Sequence, residues 1–353
     1  MQTLVRRLAV VGGCLAALPL SLLVSWTIHT PITGSGALYL LGALVTTLGA
    51  LTAPWRRHRN RGLLRLGLVL LGGTATGRLL LLSYSTTVRL TTFPHHHTRW
   101  VNRLVDEQDV ALFGARVLSS TDTFLTPREA VDVMPALHAA YAAMRATDGT
   151  TASPFLSTYL GLQQPGLFDV VEVDPDSPTS TRSAVVFLHG FTGNFTIQCW
   201  LVAQAAREVG AVTACPSVGW RGDWWSPHGQ TTVQRMIEDL RQRGIERIYL
   251  AGLSNGAVGA SRLAPHLGLD LAGLILISGA DPAAAPSGLP ILILQGAQDE
   301  RMPVALARQM AQQAGTQATY HELDSDHFVL AKRAAEARHA LVTWLVQQET
   351  SAQ

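Results

Sequence analysis

The chain has 353 residues, with 27 Lys and Arg against 25 Asp and Glu, a net charge of +2 and a mean hydropathy of +0.19. The near-neutral sum conceals two unlike parts: residues 1–90 hold nine arginines and no acid, whereas residues 91–353 hold 18 basic residues against all 25 acids. A net of −7 over the larger part excludes the broad basic surface on which nucleic-acid binding depends, so no nucleic-acid partner is expected.

The basic part contains three apolar stretches, Leu8 to Ile28, Gly36 to Ala53 and Leu63 to Leu82. Each approaches the roughly 20 residues that a helix needs to cross about 30 Å of hydrocarbon, so three transmembrane helices are expected over 1–90. Arg65 and Arg78 stand near the ends of the third, where an arginine can snorkel to the headgroups. Arg6 and Arg7 precede the first span, and Arg56, Arg57, Arg59 and Arg61 crowd the second loop, while the first loop has no arginine. The positive-inside rule then places the N-terminus in the cytoplasm and everything after about Ser83 on the outer, periplasmic or extracellular, face of the membrane. A cleaved signal or a lipoprotein signal at Cys14 is the alternative, and it leaves the second and third apolar runs unexplained.

Residues 91–167 are read as a helical linker or cap segment. His95, His96 and His97 are consecutive, which does not let three side chains converge on one ion; a solvated interfacial cluster is the expectation, with no metal. An amphipathic helix is predicted from Arg99 to Leu118, and a second from Thr126 to about Met144. Thr126 serves as its N-cap, Pro127 as its first residue and Glu129 as a first-turn acid. Phe113, Phe124, Phe155, Tyr159 and Leu160 either cap an active site or close one side of the core behind it.

From Phe168 onward strands and helices alternate. Apolar strands are predicted at Phe168–Val173, Ala184–Leu188, Ala211–Cys215, Arg247–Ala251, Leu274–Ser278, Ile291–Gln295 and Gln317–Leu323, with helices between them. Strands apolar on both faces and separated by helices imply a parallel sheet covered on both sides, hence an α/β catalytic domain over 168–353. Cys199 falls on the predicted Thr196–Glu208 helix and Cys215 on the strand after it. They either pair in an oxidising compartment or stay as two buried thiols.

Three strand ends carry reactive groups, and in such sheets ligands bind at the carboxyl ends of the strands. Arg247–Ala251 runs into Gly252-Leu253-Ser254-Asn255-Gly256, a Gly-x-Ser-x-Gly turn followed by a small-residue helix. Ile291–Gln295 runs into Gly296-Ala297-Gln298-Asp299, and the late strand into Asp324-Ser325-Asp326-His327. Serine, acid and histidine in that chain order resemble the α/β-hydrolase superfamily, over roughly Phe168 to Gln348. The resemblance implies a mostly parallel α/β-hydrolase sheet with flanking helices and catalysis by Ser254, Asp299 and His327. It also implies an oxyanion hole from the backbone N–H groups of Asn255 and of Phe191, in the His189-Gly190-Phe191 loop. Asp281, Asp324 and Asp326 are the other acids in reach of the argument; Asp299 is preferred for its place after the penultimate strand. Asp326 then reads as a turn acid that shapes the histidine loop.

Trp220, Trp224 and Trp225 leave the end of strand Ala211–Cys215 and either line an acyl or alcohol pocket, or pack beneath the next helix or sit at the membrane surface. No phosphate loop, zinc-spaced cysteines or nicotinamide fingerprint is present in the sequence, so no cofactor is required. The expected partners are an acyl ester, small or lipid, and the membrane. The expected function is a membrane-anchored serine hydrolase that cleaves carboxylic esters through an acyl-enzyme on Ser254. An acyltransferase, thioesterase or peptidase using the same three residues, or a non-catalytic hydrolase-fold module, are the other readings.

Overall fold

The computed structural model describes residues 30–52, 59–95, 97–122, 124–176, 182–267, 271–284 and 288–351. The chain forms two compact units, one of residues up to Ser83 with Arg103–Ala130, the other of Tyr84–Asn102 with Val131 onward.

In the first unit, helices α1 (Gly34–Thr52) and α2 (Arg59–Leu80) pack side by side. Glycine makes their approach close: a Cβ on Gly49 would meet the Leu64 backbone nitrogen at 2.6 Å, and one on Gly67 would collide with Thr46. Small residues at such contacts let helix backbones meet where no aqueous hydrophobic force drives them together. Within them, Gly34–Thr52 and Gly62–Leu80 are each 19 residues long and apolar enough to cross a membrane, and Leu41, Leu66 and Val69 are exposed. The first expected span, Leu8 to Ile28, lies outside the described residues. Arg78 corrects its expectation, because it does not snorkel. Its side chain is 3% exposed, donating to the carbonyls of Arg103 (2.9 Å) and Val105 (2.8 Å) and to Ser35 Oγ (2.8 Å), with Asp106 at 3.5 Å. A fixed guanidinium that satisfies several acceptors in one plane holds the end of the hairpin shut.

The helix expected from Arg99 starts later, as α3 (Glu107–Ser120), because Asp106 caps it by accepting from the Gln108 N–H at 3.2 Å. Helix α4 (Pro127–Asp148) opens on a reciprocal cap: Thr126 Oγ1 accepts from the Glu129 N–H, and the Glu129 carboxylate accepts from the Thr126 N–H. It runs past Met144 to Asp148, where Gly149, at φ 78°, supplies the left-handed turn.

The second unit is built on an eight-stranded sheet. Its strands are β1 (Val88–Phe93), β2 (Phe168–Val173), β3 (Ser183–Leu188), β4 (Val212–Pro216), β5 (Arg247–Leu253), β6 (Gly273–Ile277), β7 (Ile291–Gly296) and β8 (Ala318–Leu323). The order is β1-β2-β4-β3-β5-β6-β7-β8, and every strand runs the same way except β2, which is antiparallel to both its neighbours, β1 and β4. Strands β2, β3, β4, β6 and β7 are buried along their whole length, as two covered faces require. The covering helices include α5 (Phe155–Tyr159), α6 (Thr196–Glu208), α7 (Pro227–Gln242), α8 (Asn255–Leu267), α9 (Val304–Ala314), α10 (Val329–Lys332) and α11 (Ala334–Thr350).

Strand β1 and helix α5 were not expected, and one buried carboxylate ties both to the sheet. Asp169 on β2 accepts from Thr92 Oγ1 (2.7 Å), Asn102 Nδ2 (2.8 Å), Ser157 Oγ (2.5 Å) and Gln163 Nε2 (3.2 Å). A charge taken out of water is tolerated when its lone pairs are filled in this way, and here the filling orders the segment before β2. Cys199 and Cys215 form a disulfide, with Cα atoms 6.0 Å apart, that staples α6 to β4.

Candidate active site

Ser254 sits between β5 and α8 at φ 56°, a left-handed conformation that costs a non-glycine residue of order 1 kcal/mol. The turn is held by its own backbone. The Ser254 N–H donates to the Ile277 carbonyl at 2.9 Å, and the Ser254 carbonyl accepts from Ala257 (2.9 Å) and Val258 (3.1 Å). A Cβ on Gly252 would collide with the Gly256 carbonyl, and one on Gly256 with the Leu188 carbonyl, so both flanking glycines are needed for the backbones to meet. Asn255, whose N–H is the first of α8, turns its side-chain amide to the Arg221 carbonyl at 2.9 Å.

The loop after β3 lies against the serine: a Cβ built on Gly190 would be 3.7 Å from Ser254 Oγ and 3.0 Å from the Leu253 carbonyl oxygen. His189, fully buried, braces this loop. Its Nδ1 is 2.8 Å from the Gly190 carbonyl and its Nε2 lies 3.3 Å from the Val218 N–H. Those partners define a neutral ring, with Nδ1 donating and Nε2 accepting. Burial pushes its pKa down to about 4, partly opposed by the bond to Gly190. Beyond it Phe191 packs edge-on against Trp220 (5.2 Å between ring centres), and Thr192 stands at φ 80° with its carbonyl accepting from Tyr159 Oη at 3.1 Å. Helix α5 therefore reaches the loop that follows β3.

The loops after β7 and β8 bring acid and histidine together. His327 Nδ1 and Asp299 Oδ2 are 2.9 Å apart, both side chains almost wholly buried. The other oxygen, Oδ1, accepts from the Arg301 and Met302 N–H groups, each at 3.0 Å. Gly296 allows the close crossing, since a Cβ there would collide with the Asp326 carbonyl. The other acids are engaged elsewhere. Asp281 pairs with Arg262 (2.6 Å) and Asp324 with Arg333 (3.4 Å). Asp326 pairs with Lys332 (2.9 Å) while its other oxygen accepts from the Phe328 N–H (3.0 Å), as a turn acid would.

The three tryptophans divide. Trp224 is fully buried and lines no open pocket: its indole donates to the His189 carbonyl at 2.8 Å, and its Cβ is what a side chain on Gly259 would strike. Trp220 is 39% exposed, 6.5 Å from the Tyr159 ring and beneath the Arg221 guanidinium (5.2 Å). Trp225 is half-buried, under Arg262 at 5.1 Å. Phe155, Tyr159, Phe191 and Trp220 thus form an aromatic wall beside the loop after β3. Among the described residues, no group of three His, Cys, Asp or Glu is placed to hold a metal ion.

Sheet, strained serine and Asp–His pair make the fold α/β-hydrolase-like. No family model and no curated protein matches the chain. Among solved structures it is similar to XC6422 from Xanthomonas campestris, described as a member of a/b serine hydrolase without lid. That match has 22% identity over 52% of this chain and 89% of that one, with a TM-score of 0.43. It is also similar to Est1E from Butyrivibrio proteoclasticus, at 15% identity over 52% of this chain and 95% of that one, TM-score 0.45. A predicted CIB-like hydrolase from Thermoplasma acidophilum matches at 16% identity over 50% of this chain and 92% of that one, TM-score 0.42.

Proposed function

We propose that this chain is a membrane-anchored serine hydrolase that cleaves a carboxylic ester, with its catalytic unit on the outer face of the membrane. The observation that carries the reading is a serine held at φ 56° on the same sheet edge as a buried Asp–His pair 2.9 Å apart. Asp299, with Oδ1 filled by two backbone donors, holds His327 with its proton on Nδ1, which leaves Nε2 as the base. As Ser254 Oγ attacks the acyl carbon, Nε2 takes the hydroxyl proton. The backbone N–H groups of Asn255 and Phe191 receive the oxyanion. Collapse of the tetrahedral intermediate breaks the C–O bond, the departing alcohol takes the proton from Nε2, and water then hydrolyses the acyl-enzyme by the same steps in reverse roles.

The location rests on the apolar helices and arginine pattern, and on the Cys199–Cys215 disulfide, a bond that persists in oxidising compartments. A fluorophosphonate probe tests the chemistry: the wild type is labelled, while Ser254→Ala and His327→Ala are not. A folded wild-type protein that takes no label defeats the proposal. A reporter active only in the cytoplasm, fused after Ser83, is expected to stay silent.

A further inference from the structure

Asp299 has a neighbour that the Ser254, Asp299 and His327 scheme does not use. Gln295, the penultimate residue of β7, is fully buried, and its amide nitrogen donates to Asp299 Oδ2 at 2.9 Å and to the Met302 carbonyl at 3.1 Å. Oδ2 is the oxygen that faces His327. The carboxylate therefore has both oxygens doubly engaged: Oδ1 by the Arg301 and Met302 N–H groups, Oδ2 by Gln295 and His327. The opposite amide orientation would set Oε1 against a carboxylate oxygen and a carbonyl, so the donor assignment is fixed by its surroundings.

The arrangement is not what stability alone selects. Gln295 Oε1 is buried with no hydrogen-bond partner among the described residues, and an orphaned acceptor disfavours the folded state. We infer that Gln295 is a positioning residue, acting through Asp299: its amide fixes the carboxylate rotamer and draws electron density from Oδ2, which sets how firmly His327 holds a proton. The inference deepens the hydrolase reading and rests on it for its catalytic meaning, but the geometry it invokes is that of the Gln–Asp–His chain alone. Glu322, opposite Gln295 in the β7–β8 register, is held by Arg308 (2.6 Å) and by Tyr320 Oη (2.6 Å). Arg301 lies over the Phe328 ring at 5.2 Å, Asp324 and Asp326 are held by Arg333 and Lys332, and Glu300 is exposed.

Two substitutions separate positioning from packing. Gln295→Met keeps the volume, removes the donor and removes the orphaned acceptor. Gln295→Glu donates like Gln while protonated, and adds a negative charge beside Asp299 once ionised. The readout is the far-downfield proton resonance of His327 Nδ1–H, followed against pH in the full chain in detergent micelles, with fluorophosphonate labelling rates measured in parallel. In Gln295→Glu two carboxyl groups in contact share one proton, and the stronger O–H donor on Asp299 Oδ2 is expected to lower the pH midpoint of the resonance by about one unit, a tenfold weaker hold on the proton. In Gln295→Met the resonance shifts and labelling slows about tenfold. An unchanged resonance and midpoint in both variants, or a Met variant that loses stability with its resonance intact, would overturn the inference. Absence of label on the wild type refutes the hydrolase reading instead, and the resonance still decides the role of Gln295.

Discussion

His189 makes the fold around the loop after β3 sensitive to acid. In the unfolded chain its imidazole titrates near the ordinary value of 6.5, whereas burial lowers this to about 4 in the folded protein. Between those two values the unfolded state binds the extra proton, so stability is complete above the unfolded value and is lost as pH falls toward the folded one. The gap corresponds to about 3 kcal/mol once both states are protonated, and to about 2 kcal/mol at pH 5. The structural cause is specific: a proton on Nε2 removes the acceptor that the Val218 N–H uses, in a site with no water-facing surface. Denaturant unfolding of the wild type and of His189→Gln, in the same detergent at pH 7 and pH 5, isolates the effect because all other titrating groups are common to both. The wild type is expected to lose about 2 kcal/mol more than the variant over that interval. Parallel losses in the two proteins would refute the assignment of His189 as a buried neutral brace.

Two other perturbations address the neighbouring contacts. Tyr159→Phe removes the donor to the Thr192 carbonyl, a bond with a net worth of about 1 kcal/mol, so fluorophosphonate labelling should slow roughly fivefold with the fold intact; an unchanged rate would show that α5 does not hold the loop. Replacing Cys199 and Cys215 together by alanine opens a link across 16 residues and is expected to cost about 3 kcal/mol in denaturant titrations, and membrane-impermeant thiol reagents should find both sulfurs unreactive in intact cells until a reductant is added.

The parallel sheet was legible because a buried parallel strand announces itself twice, by an apolar run and by the helix that must follow it. Strands β2 and β3 and helix α6 lie at or within a residue of their expected bounds. Strand β1 was not legible. It is an edge strand with Arg89 exposed, and its inward residues Val88, Leu90 and Thr92 alternate with outward ones too briefly to separate from a loop. Helix α5 has only five residues, fewer than two turns, and so leaves no periodicity to read. Trp224 and Trp220 are four residues apart in one aromatic run, yet one is core and the other faces outward. Only the Gly222 turn at φ 67°, packed on the Gly190 carbonyl, sends them apart.

By itself the sequence determined the order of elements from Phe168 onward and the positions from which Ser254, Asp299 and His327 leave the sheet, because strand ends and glycine turns are local properties of the chain. It also marked three apolar stretches ahead of that part as spans, since length and hydropathy are additive along the chain; two of them, Gly34–Thr52 and Gly62–Leu80, are helices long and apolar enough to cross a bilayer, and the first lies outside the described residues. Tertiary structure alone decided which acid meets His327, that Arg78 is buried and not snorkelling, that Cys199 and Cys215 pair, and that Gln295 and His189 stand behind the reactive groups. Each of these is a contact between residues far apart in the chain or on different elements. Hydrogen-bond direction and burial at such contacts depend on where the backbone places both partners, which no single stretch of sequence encodes.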